Sequence, residues 1–142
     1  MTETELRQGI VEVAQAIDRA GFCPSKSGNV SARFEGGLLI TPSGLPYAKT
    51  KPQDLLHLTL DGTVLSGAGK PSSEWPFHTE IYKARPDAQA IVHTHSPRAT
   101  ALASARRGIP AFHYMIALCG GSDVRCAAYA TPSARLNWRP MR

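Results

Sequence analysis

Two turn segments, Glu35-Gly36-Gly37 and Asp61-Gly62, do most to limit what this chain can become. Each lies between short apolar runs: Val30 to Phe34 and Leu38 to Thr41 around the first, Leu55 to Leu60 and Val64 to Ser66 around the second. Glycine tolerates the positive φ that a tight reversal needs, so both regions predict β-hairpins. Helical spacing appears elsewhere. Leu6, Ile10, Val13 and Ile17 recur on one face of residues 5–20, with Thr2 and Glu5 as a capping box and Gly21 as a stop. A second helix is expected from about Ser73 to Arg85, and a third opened by Ser96-Pro97 and ended by Gly108. Ala88 to Val92 leads as a strand into His93, and strand-like pieces lie near Tyr114 to Leu118 and Val124 to Tyr129, with Gly120-Gly121 between them. Hairpins mixed with helices predict an α/β layered domain, its central sheet largely antiparallel and flanked by helices.

A chain of 142 residues suits one domain with a real core. Hydrophobic residues at 42% and charged ones at 19% are the proportions of a soluble globular protein. No apolar run approaches the ~20 residues of a membrane span. Thr2-Glu3-Thr4-Glu5 is acidic where a secretory signal would be basic and then apolar, so a cytoplasmic location without membrane attachment is expected. Cys23, Cys119 and Cys126 contain no Cys-x-x-Cys pair; they predict buried free thiols, not a disulfide framework or a thiolate metal site. The net charge of +5 is uneven: through Glu80 there are 7 Lys/Arg against 9 Asp/Glu, and after it 9 against 2. No zinc finger, recognition helix or aromatic-basic interleaving accompanies the excess, which argues against a nucleic-acid partner and leaves phosphorylated substrates, or no role, for it.

The chemistry-bearing residues sit in the middle of the chain. In an extended strand the side chains of His93 and His95 point to one face and can address one metal ion. Glu74 offers a carboxylate as third ligand or as general base, although a Glu at a helix start is also an ordinary partner of the helix dipole. Three small-residue loops, Gly28-Asn29, Ser43-Gly44 and Ser72-Ser73, would form a phosphate cradle if the fold brought them together. Taken singly each reads as an ordinary turn. Lys26 can add a point charge to such a cradle, and His57, His78 and His113 read as structural.

Gly28-Asn29-Val30-Ser31, Thr41-Pro42-Ser43-Gly44, Pro71-Ser72-Ser73-Glu74-Trp75, His93-Thr94-His95 and His113-Tyr114-Met115-Ile116-Ala117, in that order, resemble the class II aldolase/adducin family, particularly its fuculose-phosphate aldolase branch. The resemblance runs from about residue 5 to Thr131. It implies a zinc-dependent cleavage of a short sugar phosphate to dihydroxyacetone phosphate and an aldehyde. Gly28, Asn29, Ser43, Gly44, Ser72 and Ser73 would then hold the phosphate, and His93 and His95 the Zn2+, with Glu74 as catalytic acid/base. Tyr114 would handle the proton on the aldehyde oxygen, reaching in from a subunit interface of a ring-shaped homotetramer.

Three departures from the family pattern qualify that picture. The family's third metal-binding histidine has no counterpart, since no histidine follows His113, and Glu74 is the residue left to complete the donor set. Family likeness stops at Pro132, so a domain over 1–131, incomplete at its C-terminal end, is expected to be followed by a divergent basic tail, 132–142, carrying Arg135, Arg139 and Arg142. Lys26 stands where a hydroxyl residue would suit the phosphate loop. Two rivals share these motifs: an epimerase, decarboxylase or dehydratase of the same family, and a catalytically silent adducin-like interaction module.

Overall fold

Thr2 starts the first helix by reciprocal capping. Its hydroxyl accepts from the Glu5 amide at 3.3 Å, and the Glu5 carboxylate accepts from the Thr2 amide at 2.7 Å. Helix α1 then runs over Glu3–Arg19. The computed structural model describes residues 1–128; the expected boundary at Thr131, the tail 132–142 and the end of the strand expected to reach Tyr129 lie outside them.

Both hairpins form where their turns predict. Strands β1 (Asn29–Phe34) and β2 (Gly37–Ile40) make the first, and β3 (Leu56–Leu58) and β4 (Val64–Ser66) the second. Helix α2 (Trp75–Ala84) leads into β5 (Ala90–His93), and α3 (Pro97–Ser104) follows. The sheet order is β4-β3-β2-β1-β5, and every neighbouring pair is antiparallel.

Side-chain alternation divides the core between the two faces of this sheet. Val30, Ala32, Leu39 and Leu55 meet Ile10, Val11 and Ala14 of α1 on one face. Leu38, Ile40, Leu56 and Leu58 meet Tyr82 of α2 on the other. Helix α1 is rotated slightly from its expected stripe: Val11 and Ala14 are buried while Val13 is 39% exposed. Gly37 has no room for a side chain, because a Cβ there would lie 2.0 Å from the Leu58 carbonyl oxygen.

Beyond β5 the structure departs from the periodicity. Helix α3 stops at Ser104, short of Gly108, because Arg106 adopts a left-handed φ of 57° and the amides of Arg106 and Arg107 turn back to Ala103 and Leu102. The strand expected over Tyr114 to Leu118 is a 3-10 helix, Tyr114–Cys119. The His113 side chain accepts from the Met115 amide at 3.2 Å and caps it, and left-handed Gly120 ends it. Val124 forms only an isolated bridge with Ile109. Apolar character alone does not make these runs strands: among the described residues no neighbouring strand pairs with them. All three cysteines are free, yet only Cys23 is buried; Cys119 is exposed and Cys126 half-buried. Among the described residues no helix is long and apolar enough to cross a membrane.

Candidate active site

Strand pairing assembles the site. Asn29 of β1 is the register partner of His93 of β5, which sets the Gly28-Asn29 loop against the histidine strand. The approach is close enough that a Cβ on Gly28 would lie 2.7 Å from the His93 carbonyl oxygen, and its φ of +80° also favours glycine. Tyr47 holds the loop from the other side, its hydroxyl donating to the Gly28 carbonyl at 2.5 Å. Burial pushes that phenol up to about 12, with the neighbouring Cys23 adding to the shift, so it stays a donor. The other two loops are tied together by a bridge between Pro42 and Pro71 and by bonds from the Ser72 amide to Thr41 and from the Ser43 amide to Lys70.

The result is one cleft of about 210 Å³. Gly28, Asn29, Ser43, Gly44, Ser72 and Ser73 all line it, as do Glu74, His95 and Lys26. Lys26 reaches across to the Ser43-Gly44 loop, its ammonium donating to the Gly44 carbonyl at 3.5 Å.

Glu74 stands at the start of α2, just ahead of Trp75-Pro76, where its side chain makes no capping bond, and its amide donates to Ser72 Oγ at 3.3 Å. Its Oε2 lies 3.1 Å from His93 Nε2 and accepts from Asn29 Nδ2 at 2.9 Å. His93 Nε2 and His95 Nε2 are 2.9 Å apart. Strand β5 ends at His93, so the strand geometry expected to align the pair covers only one of them. His95 is placed instead by its amide, which donates to the Phe22 carbonyl at 2.8 Å. The donor atoms of Glu74, His93 and His95 all lie within 4.8 Å of one another. A nitrogen, nitrogen and carboxylate set of this size fits a divalent metal of the catalytic type.

Tyr114 is elsewhere. Its side chain is 80% exposed, outside the cleft that holds Glu74. Asn29 does more than the cradle reading asked of it: the side chain is buried, with Nδ2 on Glu74 and Oδ1 on His78 Nε2. His78, read as merely structural, therefore joins the site from behind. Its Nδ1 meets Ser31 Oγ at 2.6 Å, and Ser31 Oγ meets the Tyr82 hydroxyl at 2.8 Å. Burial, reinforced by the charge of His93 and opposed by Glu74, drives His78 down to about 4, so its ring is neutral near pH 7. Two spacings in the sequence pointed to this group: Glu74 and His78 are one helical turn apart, and Asn29 and Ser31 share a strand face.

Known proteins resemble this chain in sequence and in fold. The model of the class II aldolase and adducin N-terminal domain matches residues 8–138. A 5-methylthioribulose-1-phosphate/5-deoxyribulose-1-phosphate aldolase of Rhodospirillum rubrum is 48% identical over 126 residues, covering 89% of this chain and 57% of the relative. The L-fuculose phosphate aldolase of Escherichia coli K12 is 43% identical over 136 residues, covering 95% and 62%. A solved L-fuculose 1-phosphate aldolase superposes with a TM-score of 0.87 at 34% identity, over 96% of this chain and 66% of that one. The chain thus spans about three-fifths of the length of these curated relatives.

Proposed function

The chain belongs to the class II aldolase and adducin family, and on that premise we propose that it cleaves a short ketose 1-phosphate to dihydroxyacetone phosphate and an aldehyde in the cytoplasm. One observation carries the reading: the six residues of the expected phosphate cradle line the same cleft as Glu74 and His95. The substrate class follows the relatives, whose names specify L-fuculose phosphate and 5-deoxyribulose 1-phosphate. The free cysteines accord with a reducing compartment.

In this reading the loop amides and serine hydroxyls bind the phosphate, and Lys26 adds a cation to the lining of the cleft. His93, His95 and Glu74 would hold a divalent ion, zinc in our reading, which when bound supplies Lewis-acid stabilisation of negative charge on the substrate oxygens. Glu74 moves the proton at the carbon where the bond is made or broken, a role that typically contributes about 10²- to 10⁴-fold in rate. Asn29 orients that carboxylate through Oε2.

Tyr114 acts on the aldehyde oxygen of a neighbouring subunit in a homo-oligomer, a tetramer in our reading. Its position supports this: Phe112, Tyr114 and Leu118 are 72%, 80% and 76% exposed within one short segment, an apolar surface suited to a second copy.

The test is an aldol-cleavage assay with L-fuculose 1-phosphate and 5-deoxyribulose 1-phosphate on the folded, zinc-loaded protein, following dihydroxyacetone phosphate. Cleavage that is lost in Glu74→Gln supports the proposal. A second reading, a non-catalytic interaction module, is favoured by one fact: Glu74 is the third donor of the metal cluster and so is less available as a base. Zinc retained without any cleavage would select that reading.

A further inference from the structure

The groups behind Glu74 form a hydrogen-bond chain whose direction can be worked out. Glu74 Oε2 accepts from Asn29, so the amide nitrogen of Asn29 faces the carboxylate and its oxygen faces inward. That oxygen can only accept, and His78 Nε2 must carry the proton donated to it. A neutral imidazole protonated at Nε2 leaves Nδ1 as an acceptor, here 2.6 Å from Ser31 Oγ. Ser31 must spend its one hydroxyl proton on Nδ1, and its oxygen then takes the proton of the Tyr82 hydroxyl at 2.8 Å. Every proton in the series Tyr82, Ser31, His78, Asn29 points towards Glu74.

None of these four residues is more than 1% exposed, so water does not compete for their bonds. Reversing one member would set two acceptors or two donors against each other in a buried site, where no water can satisfy the group left over. The rest of the fold holds the two ends. Ser31 and Asn29 are fixed by pairing of β1 with β5, and His78 and Tyr82 occupy successive turns of α2.

We propose that His78 is a positioning residue: by donating to Asn29 Oδ1 it locks the Asn29 amide in the one orientation that presents an N–H to Glu74, and thereby fixes the carboxylate in the cleft. The same alternation of polar residues on an otherwise apolar sheet face has no packing rationale. Ser31 is the register partner of Ile40 and shares its sheet face with Ile40 and Leu38, both of the apolar core, so its hydroxyl breaks the pattern of its neighbours there. The inference rests on the reading of Glu74 as the group that moves the substrate proton, but its geometry can be measured without that reaction.

The first measurement is ¹⁵N NMR on the labelled parent protein. His78 should appear as the Nε2–H tautomer with a solvent-protected proton, and the Asn29 side-chain proton facing Glu74 should be protected as well. In His78→Leu, of similar bulk, the Asn29 proton should lose its protection, and in His78→Gln, which can donate and accept in the same directions, it should keep it. A His78 protonated at Nδ1, or an Asn29 resonance unmoved in folded His78→Leu, overturns the proposal. The tautomer is read on the parent, so a leucine variant that fails to fold leaves the test standing. The second measurement is exchange of the dihydroxyacetone phosphate carbon-bound proton with solvent deuterium. The expectation for His78→Leu is about a tenfold or greater loss of kcat with KM within about twofold, and for His78→Gln recovery of most of the rate. Loss confined to KM would overturn it. A parent protein that exchanges nothing would sink the catalytic function proposed above, and the NMR result would still decide the role of His78.

Discussion

Helices α1 and α3 show how differently two parts of this chain use similar local signals. Both have starts that can be read from the sequence, a capping box in one and Ser-Pro in the other. Yet α1 buries Ile10, Val11 and Ala14 against the sheet, whereas α3 buries none of its residues. The strands repeat the contrast: β2 is buried along its whole length, and β5, at the sheet edge, alternates between exposed and half-buried. A start signal specifies where a helix begins. Whether it stabilises a domain depends on what lies against it.

The site falls on the border between these regions. Its cradle loops, Glu74 and Asn29 hang from the packed part, whereas His93 ends the edge strand and His95 lies just beyond it. The cradle should therefore be rigid in proportion to the core beneath it, which can be tested by making the same kind of change on both sides of the border.

Leu39→Ala should destabilise the protein most, by about 2–5 kcal/mol in urea titrations, because it empties a fully buried position between α1 and the sheet. A cost near zero would mean that the two-sided core does not carry the fold. The next effect is set by pH. His78 titrates near 6.5 when unfolded and at about 4 when folded, so the unfolded chain binds more protons in that interval. Its contribution is complete above pH 6.5 and is lost as the pH falls towards 4, by about 3 kcal/mol in all. His78→Gln should flatten that part of the acid limb, and urea midpoints at pH 7 and pH 4.5 check it.

A divalent ion held by Glu74, His93 and His95 would link the two regions, and its effect should come third. At free zinc about a hundredfold above its dissociation constant, ligand linkage raises stability by about 2.7 kcal/mol, and His93→Ala should abolish the rise in thermal melts. A rise that survives in His93→Ala would place the ion elsewhere. The smallest effect is expected at Leu118, 76% exposed in the 3-10 segment. Leu118→Ala should change the stability of the monomer by no more than about 0.5 kcal/mol. If it costs as much as Leu39→Ala in the assembled protein, that surface is covered by a second copy.

Much of the candidate site could be read directly. Gly28-Asn29, Ser43-Gly44, Ser72-Ser73-Glu74 and His93-Thr94-His95 are short motifs whose chemistry lies in adjacent residues, and the structure gathers them. His78 was harder to read because its importance lies in partners contributed by β1, at separations of 47 and 49 residues. The strand expected at Tyr114 to Leu118 went wrong for a related reason: apolar content marks a segment able to join a sheet, but a strand exists only where another strand offers its hydrogen bonds.

From the sequence alone came the elements closed by near neighbours: the capping box at Thr2 and Glu5, the two hairpin turns, the histidine pair and the motif order that marks the family. Those are decided within a few residues, by φ preferences, capping bonds and side-chain periodicity. Only the tertiary structure decided that the three loops share one cleft, that Asn29 turns its amide to Glu74 with His78 behind it, and that Tyr114 lies on the surface away from both. Such placements depend on pairing β1 with β5 across some sixty residues and on burying both faces of the sheet, and the burial energy that selects them belongs to no single segment.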